Sequence, residues 1–599
     1  MATDKDIDLL SAAKNMWDNS SELFNLWEHR WAKNEMLVQS RHLTSRKAGQ
    51  SSLFIPKIET FLQTKMADHL FAFGGDDPVS LRPTLTSTKD GAMIMEAVVN
   101  HYLTDAGGIN WPASIVNAAS NALTYNFAPA IIDWDRGVEI EEEEVEALDD
   151  EGNDIVVIEK TERELYSNPT LEVIPPEDFR TDPAVGWDEQ PMARYQAVRR
   201  WRDKSFADQM HKQGVWPKID EGEFGEKDTA GGNQSLKNER AFQNSPFTNT
   251  SNIDNGLIDV RTYWFYKDMG NGYVPVTMST LEDRIVLEEP EEMEIDFSNS
   301  DGTDPFPVVI GRIYVKPHEP ISRAMPEKLE QLQLEVNAVR NQRRDNVALA
   351  LNPEKLMTPD AGVDPAVMSR SFAGKVNVVR NLNSVKWERA PDVTASAYNE
   401  ETISTNDMER LVAESAQRAG AETSRKETAT QAKITAAGGA KSAGFDASVF
   451  GMSFAEPAVK KIIKAIRQAA PIEIFEAAAV AVESEVEDPY LESIRGDYRV
   501  IVSADAFQVR KDTAISNASN MAAIVQSVYG PAANYSPIMA PMLEENGINP
   551  EDVIPADQLN PENAAMQDMG GVAGADNLTV QPNVQLTGGG FGASQKQGQ

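Results

Sequence analysis

Residues 321–353 read ISRAMPEKLEQLQLEVNAVRNQRRDNVALALNP. Pro326 suits the first turn of a helix, where a missing N–H costs nothing. Leu329, Leu332, Val336 and Val339 then follow at helical intervals, and Asn352-Pro353 ends the pattern. A helix from Ile321 to Leu351 would be about 45 Å long at 1.5 Å per residue. Continuing the same seam reaches Arg343, Asn346 and Ala350, so its second half is polar where a private core would be apolar. Such a seam is most at ease against neighbours in an assembly, and Leu329, Leu332, Val336 and Val339 are expected to face another subunit.

Downstream, residues 352–394 are short, punctuated and strand-like, with Asp360-Ala361-Gly362, Ala373-Gly374 and Val376-Asn377-Val378-Val379. A second helix is predicted from about Ser396 to Ala419, broken by Gly420. Ser424 and Glu427 form a capping box that opens a third helix. Gly438, Gly439, Gly444 and Gly451 lie in that third pattern, each costing about 1 kcal/mol relative to Ala. Val459, Ile462, Ile463 and Ile466 restore a clean apolar face, and Lys460, Lys461 and Lys464 read as its solvated side. Tyr498–Val502 reads as a strand, Lys511–Val528 and Pro537–Glu545 as helices, and the chain from Pro561 as a disordered tail.

Upstream, Leu257–Tyr266, Tyr273–Thr280, Arg284–Leu287 and Val308–Val315 give a β-rich unit of three or four strands. Residues 225–256 are polar and rich in Gly and Asn, which predicts a long loop. Val138–Lys160 carries a turn cluster, Asp149 to Asn153, between two β-like runs and is read as a hairpin. From Glu139 to Glu164 there are thirteen acids and two bases. A calcium loop is excluded there, because no Gly stands sixth after Asp149 and no Glu closes twelve residues. The first 135 residues read mainly as helices. Asn19 and Glu22 have capping-box spacing, and the Trp17–Trp31 group reads as core. Ser114–Tyr125 is a further helix and Ala130–Asp135 a short strand.

With 599 residues the chain exceeds what one hydrophobic core supports, so several units are expected. The formal charge is −37. A surface that acidic repels nucleic acid and anionic membranes wherever the charge is evenly spread. There is no cysteine, hence no disulfide, thiolate metal site or thiol nucleophile. The start MATDKDIDLLSAAK lacks signal-peptide character, and no membrane span is expected. His29, His42, His69, His101, His211 and His318 form no metal-ligand pair. Gly438-Gly439-Ala440-Lys441-Ser442 lacks the order of a phosphate loop, and no nucleophile elbow occurs. No catalytic residue, metal or cofactor is expected.

Several segments, taken in order, resemble the portal (head–tail connector) proteins of tailed double-stranded DNA phages, of the short-tailed type. They are Val173-Ile174-Pro175-Pro176-Glu177-Asp178-Phe179 with Asp182-Pro183, then Val198-Arg199-Arg200 and the helix from Ser205. Pro305-Phe306-Pro307-Val308-Val309 follows, leading to Pro326 and to Gln331, Glu335, Asn337, Arg344, Asp345 and Asn346. Next come Pro353 with Ala373-Gly374-Lys375-Val376, and Ala419-Gly420 with Thr428-Ala429-Thr430. Together they span roughly residues 55–510. The acidic hairpin, residues 225–256 and the tail are not covered.

The resemblance implies an α+β, predominantly helical multidomain fold that assembles as a ring, usually of twelve subunits. It implies a wing (1–320 and 428–508), stem helices (321–351 and 395–419), a clip (352–394), a channel loop (420–427) and a crown (509–560), with 561–599 as a tail. It further implies a non-enzymatic conduit at the unique portal vertex of the virion, assembled in the host cytoplasm. The partners implied are copies of the chain, the major capsid protein, the terminase packaging motor, the tail adaptor and double-stranded DNA in transit, with no membrane. Another virion structural protein, such as an adaptor, scaffold or ejection protein, is the alternative.

Twelve copies at −37 each would carry roughly −440, a wall that repels a duplex without gripping it. A few basic rings could centre the strand. Residues 418–441 hold five bases and two acids, so Arg418, Arg425, Lys426, Lys433 and Lys441 are candidates to face DNA. Arg340, Arg343 and Arg344 on the stem helix are further candidates, with inter-subunit ion pairing as the other reading.

Overall fold

The first element, α1 (Asp4–Val38), is one unbroken helix of 35 residues. It passes straight through Asn19, so the expected capping box at Asn19 and Glu22 is not a helix start. The reason is tertiary. Ser20 is fully buried, its Oγ 3.1 Å from Met16 O, 3.0 Å from Thr181 O and 3.0 Å from the Tyr195 hydroxyl. A polar run that would end an isolated helix is here bonded to the sheet beneath it.

The structure is a computed structural model that describes residues 4–43, 50–75, 77–104, 107–148, 154–219, 257–270, 272–351, 354–358, 364, 366, 383, 385–388, 394–412 and 445–502. The chain divides into two units, Met1–Phe507 and Gln508–Gln599, and all described residues lie in the first. The predictions for 225–256, for Gly420 to Gly444 and for everything from Lys511 onward fall outside them.

That sheet is five-stranded and antiparallel. It consists of β4 (Phe179–Thr181), β5 (Tyr195–Asp203), β6 (Leu257–Asp268), β7 (Tyr273–Leu281) and β8 (Ile285–Glu292), in that spatial order. Trp17 of α1 sits among its arginines, with the guanidinium carbons of Arg261, Arg180 and Arg199 at 4.4, 4.9 and 5.6 Å from the indole ring. Arg180 is fully buried against Glu28, and burial pulls its pKa down to about 10. Burial disfavours the charge on Arg261 too, but Asp259 and Asp283 outweigh it and hold that pKa above its ordinary value.

A second sheet has the order β3–β2–β9. β2 (Ala128–Leu148) and β3 (Asp154–Val173) form the predicted hairpin, paired from Ala130↔Val173 out to Leu148↔Asp154 with an irregularity at Gly137/Val138. The short strand expected at Ala130–Asp135 is simply its base. There β9 (Val308–Gly311) pairs with Ala128–Ile131. The expectation that Val308–Val315 would join β6–β8 is thereby corrected: the strand is shorter, and it is buried along its whole length beside β2.

The main core gathers α2 (Lys57–Phe73), α3 (Lys89–Tyr102), α4 (Trp111–Tyr125) and a late helix, α8 (Glu456–Ala469). On α8, Val459, Ile462, Ile463 and Ile466 are all buried. Lys461 is buried as well, and Lys464 donates to Phe297 O at 2.7 Å, so of the three lysines read as solvated only Lys460 is exposed. β12 (Tyr498–Val502) closes the unit by pairing antiparallel with β1 (Val79–Pro83). Helices and antiparallel sheets thus make an α+β fold.

Two more helices leave this core. α6 (Met325–Leu351) begins four residues later than predicted, since Ile321 is buried among Phe127, Phe306 and Trp31, and Ser322 bonds Tyr314 O. Across a two-stranded ladder, Glu354–Met357 against Val385–Glu388, the chain returns as α7 (Thr394–Val412).

Candidate functional site

Along one face of α6, Gln333, Asn337, Asn341 and Asp345 recur every four residues. Four residues advance a helix about 6.0 Å, and every second residue of an extended chain advances about 6.6 Å. An extended segment can therefore lie along this face with one side chain serving each alternate peptide, and residues 51–55 do so, with Gln333 reaching on to Ile58 in the first turn of α2. The Asn341 carboxamide accepts from Leu53 N at 2.7 Å and donates to Leu53 O at 2.8 Å. Asn337 accepts from Ile55 N at 3.0 Å, Asp345 from Ser51 N at 2.8 Å and Gln333 from Ile58 N at 3.3 Å, while Gln333 also donates to Ile55 O at 2.8 Å. A carboxamide carries a donor and an acceptor, as a peptide group does, so the ladder imitates the edge of a sheet.

The burial of α6 bears on the reading of the seam. Gln333, Asn337, Asn341 and Asp345 hold the chain's own backbone rather than a neighbour's. Leu329 and Val336 are fully buried inside the chain, which removes them from a subunit interface, and Leu332 and Val339 are half-buried. The four-residue recurrence from Gln333 to Asp345 was visible in the sequence and would have disclosed the ladder.

Two of the α6 arginines are also accounted for. Glu401 on α7 takes Arg340 on one carboxylate oxygen and Arg343 on the other, the second at 2.6 Å. Arg343 is buried, its guanidinium carbon 3.9 Å from the Tyr398 ring centroid. Both are committed within the chain, whereas Arg344 is exposed. At its foot α6 is tied to α1 by Arg30 to Glu327 at 2.5 Å, Lys33 to Glu330 at 2.6 Å and Asn34 to Glu327 at 3.2 Å. Arg418, Arg425, Lys426, Lys433 and Lys441 lie outside the described residues.

Toward the far end of the pair large apolar side chains meet solvent beside polar ones. Val347, Leu349 and Leu351 on α6, Leu356 on the ladder, and Tyr398 and Ile403 on α7 are all exposed, Leu351 to 75%, as are Arg344, Asn399 and Glu400. Among the described residues no cluster of His, Cys, Asp or Glu is placed to hold a metal ion. No described helix is long and apolar enough to cross a membrane. The arrangement builds an anchored helix pair that carries large apolar side chains on its surface.

Two helices, α6 and α7, thus leave an α+β body and are joined through a short two-stranded ladder. The family model described as Phage SU10 portal protein matches residues 28–572. The chain belongs to this family of phage portal proteins. No curated protein matches it.

Proposed function

We propose that copies of this chain, twelve in the family pattern, close into a ring at the unique capsid vertex and form the passage through which double-stranded DNA enters and leaves. In this reading α6 and α7 are the stem, within 321–351 and 395–419. Residues 352–394 are the clip, offered first to the ATP-driven terminase and later to the tail adaptor. Residues 1–320 and 428–508 make the wing facing the major capsid protein, 420–427 the channel loop and 509–560 the crown. The chain carries no chemistry of its own, and ATP hydrolysis belongs to the motor.

The observation that carries the reading is the group of exposed apolar side chains on the distal stem. Six large apolar side chains on two helices and one strand stand in water in the single chain. Patches of that kind mark surfaces that a partner covers. Packing stems side by side in a closed ring covers every copy at once, without an exposed end. The charge of −37 per chain suits a bore that a duplex slides through.

Electron microscopy of assembled particles tests it. Axial views should show a ring with a central hole; a chain that stays monomeric or dimeric on a scaffold as well as alone defeats the proposal. A double charge reversal, Arg425→Glu with Lys426→Glu, tests guidance of DNA by the channel loop. Unchanged genome packaging and retention would mean that those side chains do not touch the strand.

A further inference from the structure

A cavity of about 200 Å³ lies beside β9, lined among others by Gln196, Arg312, Ser453 and Lys461. Two of its cations are buried, and only one is matched. Lys461 spends its ammonium on Asp304 Oδ1 at 2.8 Å, Val308 O at 2.9 Å and Phe306 O. Arg312, 2% exposed, donates from Nε to Pro320 O at 3.1 Å, but its Nη2 has no partner. Among the described residues no carboxylate oxygen lies within ion-pair distance of Arg312; Asp188, also on the lining, is exposed and acts on it only through space. Gln196, likewise 2% exposed, has an unpartnered Oε1 in the same lining. Burial draws the Arg312 pKa down to about 9, which still leaves the guanidinium charged at neutral pH.

The wall is built rather than incidental. Arg312 N donates to Ser453 Oγ at 2.9 Å and Ser453 Oγ donates back to Arg312 O at 2.9 Å. Ser453 belongs to a π-helical turn, Gly451–Ala455, and such turns recur at functional sites. A buried guanidinium demands a negative acceptor, and the Gln196 oxygen demands a hydrogen. One ligand meets both needs if it is an oxyanion that keeps a hydroxyl. Sulfate has the charge without the hydrogen, and the phosphodiester of a nucleic acid lacks the hydrogen too.

We propose that this cavity binds a small hydroxylated oxyanion of the orthophosphate class, held by Arg312 Nη2 and Gln196 Oε1. A volume of about 200 Å³ admits such an ion with a few waters of about 30 Å³ each, and does not admit a duplex.

The test is calorimetric titration of the full chain with sodium phosphate near pH 7, with sulfate and chloride at matched ionic strength and a short DNA duplex as competitor. Phosphate should saturate one site per chain, with sulfate at least tenfold weaker and the duplex unable to displace it. Arg312→Met should abolish binding. Gln196→Glu, which replaces an acceptor amide with a repelling carboxylate of the same size, should weaken phosphate at least tenfold while leaving the circular dichroism unchanged. That variant decides the matter even if Arg312→Met fails to fold. No saturable phosphate heat, equal binding of sulfate, displacement by the duplex, or unaltered affinity in Gln196→Glu would each overturn the site.

Discussion

Glu401 is one carboxylate between two guanidinium groups, and the pair is asymmetric. Arg340 is 36% exposed and can return to water, while Arg343 is 7% exposed and cannot. Glu401→Gln therefore strands a buried cation with only the Tyr398 face to offset it. Breaking a buried pair from one side costs 3–5 kcal/mol when no water reaches it; the remaining exposure here reduces that to about 2 kcal/mol. Hydrogen exchange should show the amides of Tyr398–Met408 opening about 30-fold more often. Unchanged protection would mean that the clamp contributes nothing. His69 makes a second prediction at this scale. It is buried, with Nδ1 2.7 Å from Lys65 O and the edge of Phe450 beside it, and burial lowers its pKa below the ordinary 6.5. Lys65, Asp446 and Asp68 are the charges around it, and burial outweighs them. Because the unfolded chain takes up that proton first, His69 costs stability as the pH falls below 6.5. His69→Phe should remove up to one proton's worth of that slope, about 1.4 kcal/mol per pH unit. Melting temperatures of both proteins between pH 7 and 5 measure it, and parallel curves would disprove it.

Among elements, the amide ladder on α6 explains how a helix with a mixed seam sits inside one chain. Asn341→Leu keeps the volume but takes the partners from both the N–H and the C=O of Leu53, which water then reaches only in part, Leu53 being 38% exposed. The loss should be about 1 kcal/mol, read as faster amide exchange at Leu53 and Ile55 with α2 unaffected. If exchange there is unchanged, the strand is held by its side chains alone. The ladder also shows where sequence reading stops. The hairpin, β6 and β7, α6 and the buried stripe of α8 were legible because each carries its own periodicity or turn. The run at Asn19 misled, because its capping signal is local and the bond from Ser20 to Thr181 spans 161 residues. Val308–Val315 reads as a strand, but nothing local says which sheet it joins or that it ends at Gly311. Lys461 looked solvated because a helical wheel cannot show three acceptors arriving from residues 304–308. For the candidate site, the sequence located α6 and α7 and the arginines of α6. It did not show that Glu401 holds two of those arginines, or that Arg312 and Gln196 share a cavity.

At the scale of the whole molecule, the far ends of α6 and α7 carry large apolar side chains that the single chain leaves in water. The polar contacts of the pair are internal: the ladder to residues 51–58, the Glu401 clamp, and the ties from α1 to Glu327 and Glu330. Among its exposed side chains, beside polar ones such as Arg344 and Glu400, are Val347, Leu349, Leu351, Leu356, Tyr398 and Ile403. Fold and assembly are therefore separable by mutation. Leu349 is 47% exposed and Ile403 54% exposed, so a charge at either position meets water in the isolated chain. The double variant Leu349→Glu with Ile403→Glu should keep the wild-type circular dichroism and melt within about 0.5 kcal/mol of it, as surface substitutions do. In a ring each subunit would desolvate both carboxylates against its neighbour, at a cost of several kcal/mol repeated at every interface. Native mass spectrometry and negative-stain images should then show monomers where the wild type gives rings. Rings formed as readily by the variant would mean that these faces look outward, and that the subunits meet through the wing instead.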